Sequence, residues 1–508
     1  MGSSSSQPQV GSRGLNRSVG SSFAASLARW RGSFSSRGGI SLHEQQPDDV
    51  DQHKDDQPKS LIAGSVASLD EQATSLVGAE EVETVVTGLT FFETVSNFVI
   101  GLVGAGVLVL PRMVANVGFG IAVPLMLLCA LAICQCAMMT ISCCDFIESS
   151  YGECPKNYEA VASSILGIRG KAALSITKNV YLLGIIVVYI LLEVDGLSAW
   201  VLWNHEYIRW GIVIPVFVAL AMFRNLKIVA KIQPVGILAA LVQSASICTG
   251  AVVHMCDYGY KFPQYDVISS KLSLFALGSA LATCSFGFSS IVLAVPSVRS
   301  QMANRAQAPS AVRWALAIVF MIYFVVMGLG YASFGRGVQD NIMDNFTDKR
   351  ASYDQHVIGD ISAASIIINL LTGVPTLFWI FISVVEASGS GRLFTPLSVP
   401  NFLFRVLLVL LLGAVSALLP FPKQVIGLFS AAFGVCNAFA YPLLFHYTLK
   451  KRHPEARAQK RSAILVHVGL AAIGSFAFVF GVLGSLTTLL EKLSEAQHVA
   501  AALKAIIM

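Results

Sequence analysis

The chain has 508 residues, 55% of them hydrophobic and only 13% charged, with a mean hydropathy of +0.67 and a formal net charge of +5. Its apolar residues come in long runs rather than periodic stripes, which excludes a string of soluble domains. No basic stripe interleaved with aromatics is present, so nucleic acid is excluded as a partner and a lipid bilayer is the expected surrounding.

Residues 1–85 are rich in Ser, Gly, Gln and Asp and read as a disordered tail. No signal peptide is expected, and Met1-Gly2-Ser3 fits a myristoylation pattern as well as a low-complexity tail. A spanning helix needs about 20 mostly apolar residues. Eleven segments meet that ruler, near 91–112, 117–141, 172–199, 207–223, 233–256, 271–295, 310–332, 357–387, 402–419, 423–448 and 463–489. The expected fold is an all-α integral membrane protein, with a transmembrane body over 86–490 and a short C-terminal tail at 491–508. Lys and Arg favour the loops after even-numbered segments by 17 to 9, which places the N-terminal tail in the cytosol. The sequon Asn345-Phe346-Thr347 then falls outside the cytosol, in agreement, while Asn16-Arg17-Ser18 lies in the tail.

The first span carries Gly101, Gly104 and Gly106, followed by Pro111. Glycines so dense in a helix allow two readings. One is close helix packing; the other is a helix unwound at mid-membrane, whose freed backbone groups meet a polar solute. The sixth span offers a counterpart in Cys284-Ser285-Phe286-Gly287-Phe288-Ser289-Ser290, with Pro296 beyond. Spans one and six correspond in a five-plus-five repeat, and paired breaks at corresponding positions favour the unwound reading.

Four carboxylates fall in or beside spans: Glu93, Glu193, Asp195 and Glu386. Glu193 is the deepest, with Tyr189 one turn away as a hydrogen-bond partner, so coupling and structural roles both stand. Thr372-Gly373-Val374-Pro375-Thr376 of the eighth span offers hydroxyls for ion coordination or a simple kink. The ten cysteines read as small apolar packing residues, and the nine histidines form no paired ligand spacing, so neither metal nor cofactor is expected. No HExxH, P-loop or GxSxG is present, so no enzyme is expected.

The stretch from Asn97 through Gly104-Ala105-Gly106-Val107 to Pro111 resembles the first-helix signature of the amino acid/auxin permease family. Tyr189 to Asp195 is similar to the acidic third-helix motif of vacuolar amino acid transporters. Gly330-Tyr331-Ala332-Ser333-Phe334-Gly335, Arg405, Pro420-Phe421 and Tyr441-Pro442 resemble further family motifs. The resemblance covers roughly residues 90–490. It implies eleven helices, ten in an inverted five-plus-five repeat with discontinuous helices one and six, plus one extra C-terminal helix. It also implies a secondary carrier of amino acids, here neutral ones, coupled to a proton or sodium ion, on a vacuolar or lysosomal membrane rather than the plasma membrane. An amino acid sensor of the same fold is the alternative. By position, Gly104, Ala105, Gly106 and Val107 would meet the substrate, with Ser285, Phe286, Gly287 and Phe288 opposite. Asn97, Glu193 and Thr372 would serve ion coupling. Three residues depart from the family pattern: Arg112 replaces an aromatic, Val194 a glycine, and Phe288 a histidine, which puts histidine-based coupling in doubt.

Overall fold

A computed structural model of the chain describes residues 88–198, 200–201, 203–223, 226–257, 265–270, 272–346, 352–388, 398–419, 421–452 and 461–507. The tail expected at 1–85, the Asn16 sequon, Thr347 of the second sequon, Pro420, and the loop residues Arg224, Lys261, Lys271, Lys349, Arg350, Arg392, Arg457 and Lys460 lie outside the described residues.

The described residues of 85–508 form eleven helical units. Helix α1 comes in two pieces, Phe91–Leu102 and Ala105–Val117, bent by 48° at the glycines. It is followed by α2 (Phe119–Tyr151), α3 (Tyr158–Ser198) and α4, which is built from His205–Ile208, Arg209–Val213 and Ile214–Ala221. Next come α5 (Leu226–Asp257), α6 (Leu274–Ser300), α7 (Ala308–Phe334), α8 (Tyr353–Ser388) and α9 (Val399–Leu418). Helix α10 joins Pro422–Phe429, Ser430–Gly434, Cys436–Ala440 and Tyr441–Arg452, and α11 runs from Arg461 to Ile507. Among the described residues nine helices are long and apolar enough to cross a membrane, ten counting the bent α1 as one span. Helix α4, in three short pieces, is the unit that falls below that ruler.

Local chemistry explains the ends and the polar interior. Thr90 and Glu93 form a capping box at the start of α1, with Glu93 Oε2 accepting from the Thr90 N–H at 2.9 Å. Ser273 caps α6 by accepting from the Ala276 N–H at 3.1 Å. Within the spans, many hydroxyls return to the carbonyl one turn back, as Thr140 does to Cys136 and Ser244 to Ala240, which keeps those donors from being stranded in apolar surroundings.

The packing partners repeat when each helix number is raised or lowered by five. Helix α1 packs on α7 as α6 packs on α2; α3 packs on α10 as α8 packs on α5; α3 packs on α9 as α8 packs on α4; α5 packs on α7 as α10 packs on α2. The pairs α1–α6, α2–α7, α3–α8 and α4–α9 map onto themselves. Such a pattern is that of two five-helix repeats, and an odd number of spans per repeat inverts the second against the first. Helix α11 stands outside the scheme, against α6 and α10.

One expectation is corrected. Helix α6 is not discontinuous: it runs as a single α-helix through Cys284–Ser290 and past Pro296 to Ser300. Two of its hydroxyls serve its own backbone, Thr283 bonding the Ser279 carbonyl at 2.9 Å and Ser285 that of Leu281 at 2.8 Å. Its glycines serve packing. A Cβ on Gly278 would lie 2.5 Å from the Phe480 carbonyl carbon of α11, and one on Gly287 would lie 2.7 Å from the Tyr323 ring. In α6 the close-packing reading holds; in α1 the break is real.

Candidate functional site

The break in α1 creates the site. Phe91–Leu102 ends at Val103, Gly104 is extended at φ −166°, and Ala105–Val109 restarts as a 3₁₀ turn. The first N–H groups of a helix lack partners inside it, and they carry the positive end of its dipole. The Ala105 and Gly106 amides stand at those positions. The last carbonyls of the first piece are met from elsewhere. Ser290 Oγ of α6 donates to Gly101 O at 2.7 Å, and Tyr323 Oη of α7 donates to Leu102 O at 2.6 Å.

The surrounding walls divide the expected residues. Phe286 faces the break, since a Cβ on Gly106 would lie 3.3 Å from its Cδ1; its ring meets Tyr181 of α3 edge-on at 6.4 Å. Gly287 Cα lies 3.5 Å from the same point. Ser285 turns instead toward Cys129 of α2, and Phe288 is buried against the Tyr323 ring at 5.2 Å. Val107 is buried, and Asn97 is exposed on the first piece of α1. Thr372 bonds the Asn369 carbonyl at 2.8 Å and lies against Gly236 of α5. A residue that the sequence reading missed, Asn369, is the one α8 brings to the break: its Nδ2 is 4.0 Å from where a Gly104 Cβ would sit. An asparagine three residues before Thr372 was the available signal.

The four carboxylates separate by surroundings. Glu93 is a helix cap. Glu386 accepts from Arg405 at 3.0 Å and from Asn401 at 2.6 Å, so it belongs to a structural cluster. Asp195 lines a cavity at the end of the bundle where α1 finishes. Glu193 alone is sealed, at 2% exposure, and its Oε1 has no hydrogen-bond partner among the described residues. Tyr189 does not supply one; its ring lies against Gly373 of α8 instead. Gly196 of α3 packs on Ile366 and Ile367, and Tyr189 on Gly373. The antiparallel register therefore sets Glu193 at the depth of Asn369, level with the break.

The cavity at that far end is about 910 Å³ and includes Arg112, Asp195, Asp340, Asp344, His356 and Lys492 in its lining. It stops short of the break: none of Gly104–Val107 lines it. Between the two lies a latch. Arg112 donates to Asp340 Oδ1 at 3.2 Å and to the Val338 carbonyl at 2.7 Å. Lys423 of α10 donates to Asp340 Oδ1 at 3.0 Å, and the Ile342 N–H reaches Leu108 O at 3.3 Å. Burial alone would raise the Asp340 carboxyl, but Lys423, with help from Arg112, outweighs it and holds it below its usual value. Asp344 beside it is pushed up to about 6, by burial and then by the Asp340 charge.

An inverted pair of helical repeats enclosing a mid-depth break with helix-start amides is the architecture of an integral membrane transporter. The chain belongs to the transmembrane amino acid transporter family, which it matches over residues 87–487. It is thus an amino acid carrier rather than an enzyme. Among curated proteins it is 21% identical to amino acid transporter AVT6A of Arabidopsis thaliana over 428 residues, covering 77% of this chain and 88% of the relative. Identity to AVT6B of the same plant is 20% over 431 residues, covering 77% and 89%. Among solved structures, MhsT in complex with L-phenylalanine aligns with a TM-score of 0.42 at 12% identity, covering 76% of this chain and 98% of that one. A sodium-coupled sialic acid symporter aligns with a TM-score of 0.37 at 10% identity, covering 78% and 96%.

Proposed function

We propose that the protein carries neutral amino acids across a vacuolar or lysosomal membrane, coupled to a proton, with its N-terminal end in the cytosol. The substrate carboxylate sits at the Ala105 and Gly106 amides, its amine faces the carbonyl side of the break and Asn369, and its side chain lies toward Phe286 and Tyr181. An apolar, aromatic-lined wall suits an uncharged side chain. The observation that carries the coupling is Glu193, a sealed carboxyl level with the break and without an ion-pair partner among the described residues. Isolated charge is costly in such a place, so the group suits a travelling proton better than a fixed charge. The vacuolar or lysosomal placement rests on the likeness of Tyr189–Asp195 to the acidic motif of vacuolar carriers.

The latch closes the non-cytosolic side, while Ser96, Asn97 and Gly101 of α1 are uncovered toward the cytosolic end. On this reading the conformation is the one loaded from, or released to, the cytosol. Uptake of a panel of labelled amino acids into proteoliposomes, under an imposed pH gradient or an imposed sodium gradient, tests the proposal. Accumulation of neutral amino acids driven by the pH gradient alone is expected. Accumulation that follows sodium instead overturns the proton assignment, and binding without flux under either gradient favours a sensor.

A further inference from the structure

We propose that Tyr323 and Ser290 are positioning residues that hold the α1 break open by taking the place of backbone donors. The inference rests on the reading of the break as the amino acid site. In an unbroken helix the Ala105 N–H would bond Gly101 O and the Gly106 N–H would bond Leu102 O, each four residues back. These two carbonyls are the ones that Ser290 Oγ, at 2.7 Å, and Tyr323 Oη, at 2.6 Å, occupy. Two side-chain hydroxyls thus satisfy the acceptors that two amides have left. Unwinding therefore leaves neither of these two carbonyls stranded, and the amides are released toward a ligand.

The geometry around Tyr323 is built for this task. The side chain is fully buried, and its ring fills the notch left by Gly287, where a Cβ would come within 2.7 Å of Cε2. Phe288 packs against the ring at 5.2 Å. The Gly287 carbonyl, at 3.2 Å from Oη, is a second acceptor for the same hydroxyl. One proton serves one acceptor at a time, and the shorter contact to Leu102 O prevails in this conformation. Gly287 is therefore needed to seat Tyr323, and the substrate feels it through that seat.

Without the hydroxyl, Leu102 O regains its bond only by drawing the Gly106 amide back, which withdraws a donor from the substrate carboxylate. The loss should be confined to ligands that have a carboxylate. Binding of L-leucine and of L-leucinamide to the purified full-length protein separates this role from general destabilisation. Tyr323→Phe keeps the ring, and we expect leucine to bind about five- to tenfold more weakly, the worth of one hydrogen bond, with leucinamide unchanged. Ser290→Ala, at a half-exposed position with little to unpack, should give the same selective loss and serves if Tyr323→Phe fails to fold. Equal weakening of both ligands, or unchanged discrimination in both variants, overturns the inference while leaving the site reading intact. Wild-type protein that binds leucine no more tightly than leucinamide removes the carboxylate site itself, and the inference with it.

Discussion

At the scale of single residues, apparently similar groups have different tasks, and each task has its own consequence on replacement. Glu193→Gln keeps shape and most hydrogen bonding but cannot ionise. Under the coupling role, substrate exchange between preloaded vesicles persists while accumulation driven by a pH gradient is lost; unchanged accumulation with unchanged pH dependence makes Glu193 a structural residue. Arg405 is the opposite case. It bonds Asn401 Oδ1 at 2.8 Å, the Ala221 carbonyl at 2.6 Å and Glu386 at 3.0 Å, tying the ends of α4, α8 and α9 together. Arg405→Ala leaves a carboxylate and a carbonyl without these donors, a loss of about 3 kcal/mol or more that thermal unfolding in detergent would register. Arg405→Lys should recover only part of it, because one ammonium cannot reproduce the planar fork.

Helix α6 shows how far an element can be read from its residues. The eleven units, their order and the break in α1 were legible because runs of apolar residues and clustered glycines are local features. The continuity of α6 was not, since glycine count carries no information on what faces each glycine. In α1, Gly104 has only Asn369 among the described residues within 4 Å of a would-be Cβ, whereas Gly278 and Gly287 of α6 are filled by Phe480 and Tyr323 from distant sequence. The roles of Ser290 and Tyr323 were not legible for the same reason: their partners at Gly101 and Leu102 lie 189 and 221 residues away in sequence. Helix α11 explains a further asymmetry. It clamps α6 and α10 through Gly481 and Gly484, where Cβ atoms would meet Ala431 Cβ of α10 at 3.0 Å and Phe275 O of α6 at 2.5 Å, whereas α1 and α5 have no equivalent clamp among the described residues. Gly484→Leu should therefore loosen the α6–α10 side. The expected result is a lower unfolding temperature with the protein still inserted; unchanged stability would mean that α11 is a passive neighbour.

For the molecule as a whole, the charges at the end where α1 finishes set a pH response. Exposed Trp200, Trp203, Tyr207 and Trp210 ring that end of α3 and α4 as a membrane-interface belt would, and the latch lies alongside. Asp340 is held low, so its bonds to Arg112 and Lys423 are present above the ordinary carboxylate range and are lost only as pH falls below it. Asp344 has the opposite sign. Its raised value, about 6, means that its charge disfavours this closed end at neutral pH, and the penalty is relieved as pH falls through about 6. The unfolding temperature should accordingly rise between pH 7.5 and pH 5, and Asp344→Asn should remove that part of the rise. Acid on that side would favour the closed end.

The central claim is that an amino acid binds at the break in α1. Gly106→Val tests it most directly, because a Cβ there already comes within 3.3 Å of Phe286 and two more methyl groups would fill the space beside the freed amides. Titration of labelled neutral amino acids onto purified, well-folded Gly106→Val protein should show binding abolished, with the helical content and unfolding transition of the wild type retained. Wild-type affinity in that folded variant would contradict the account.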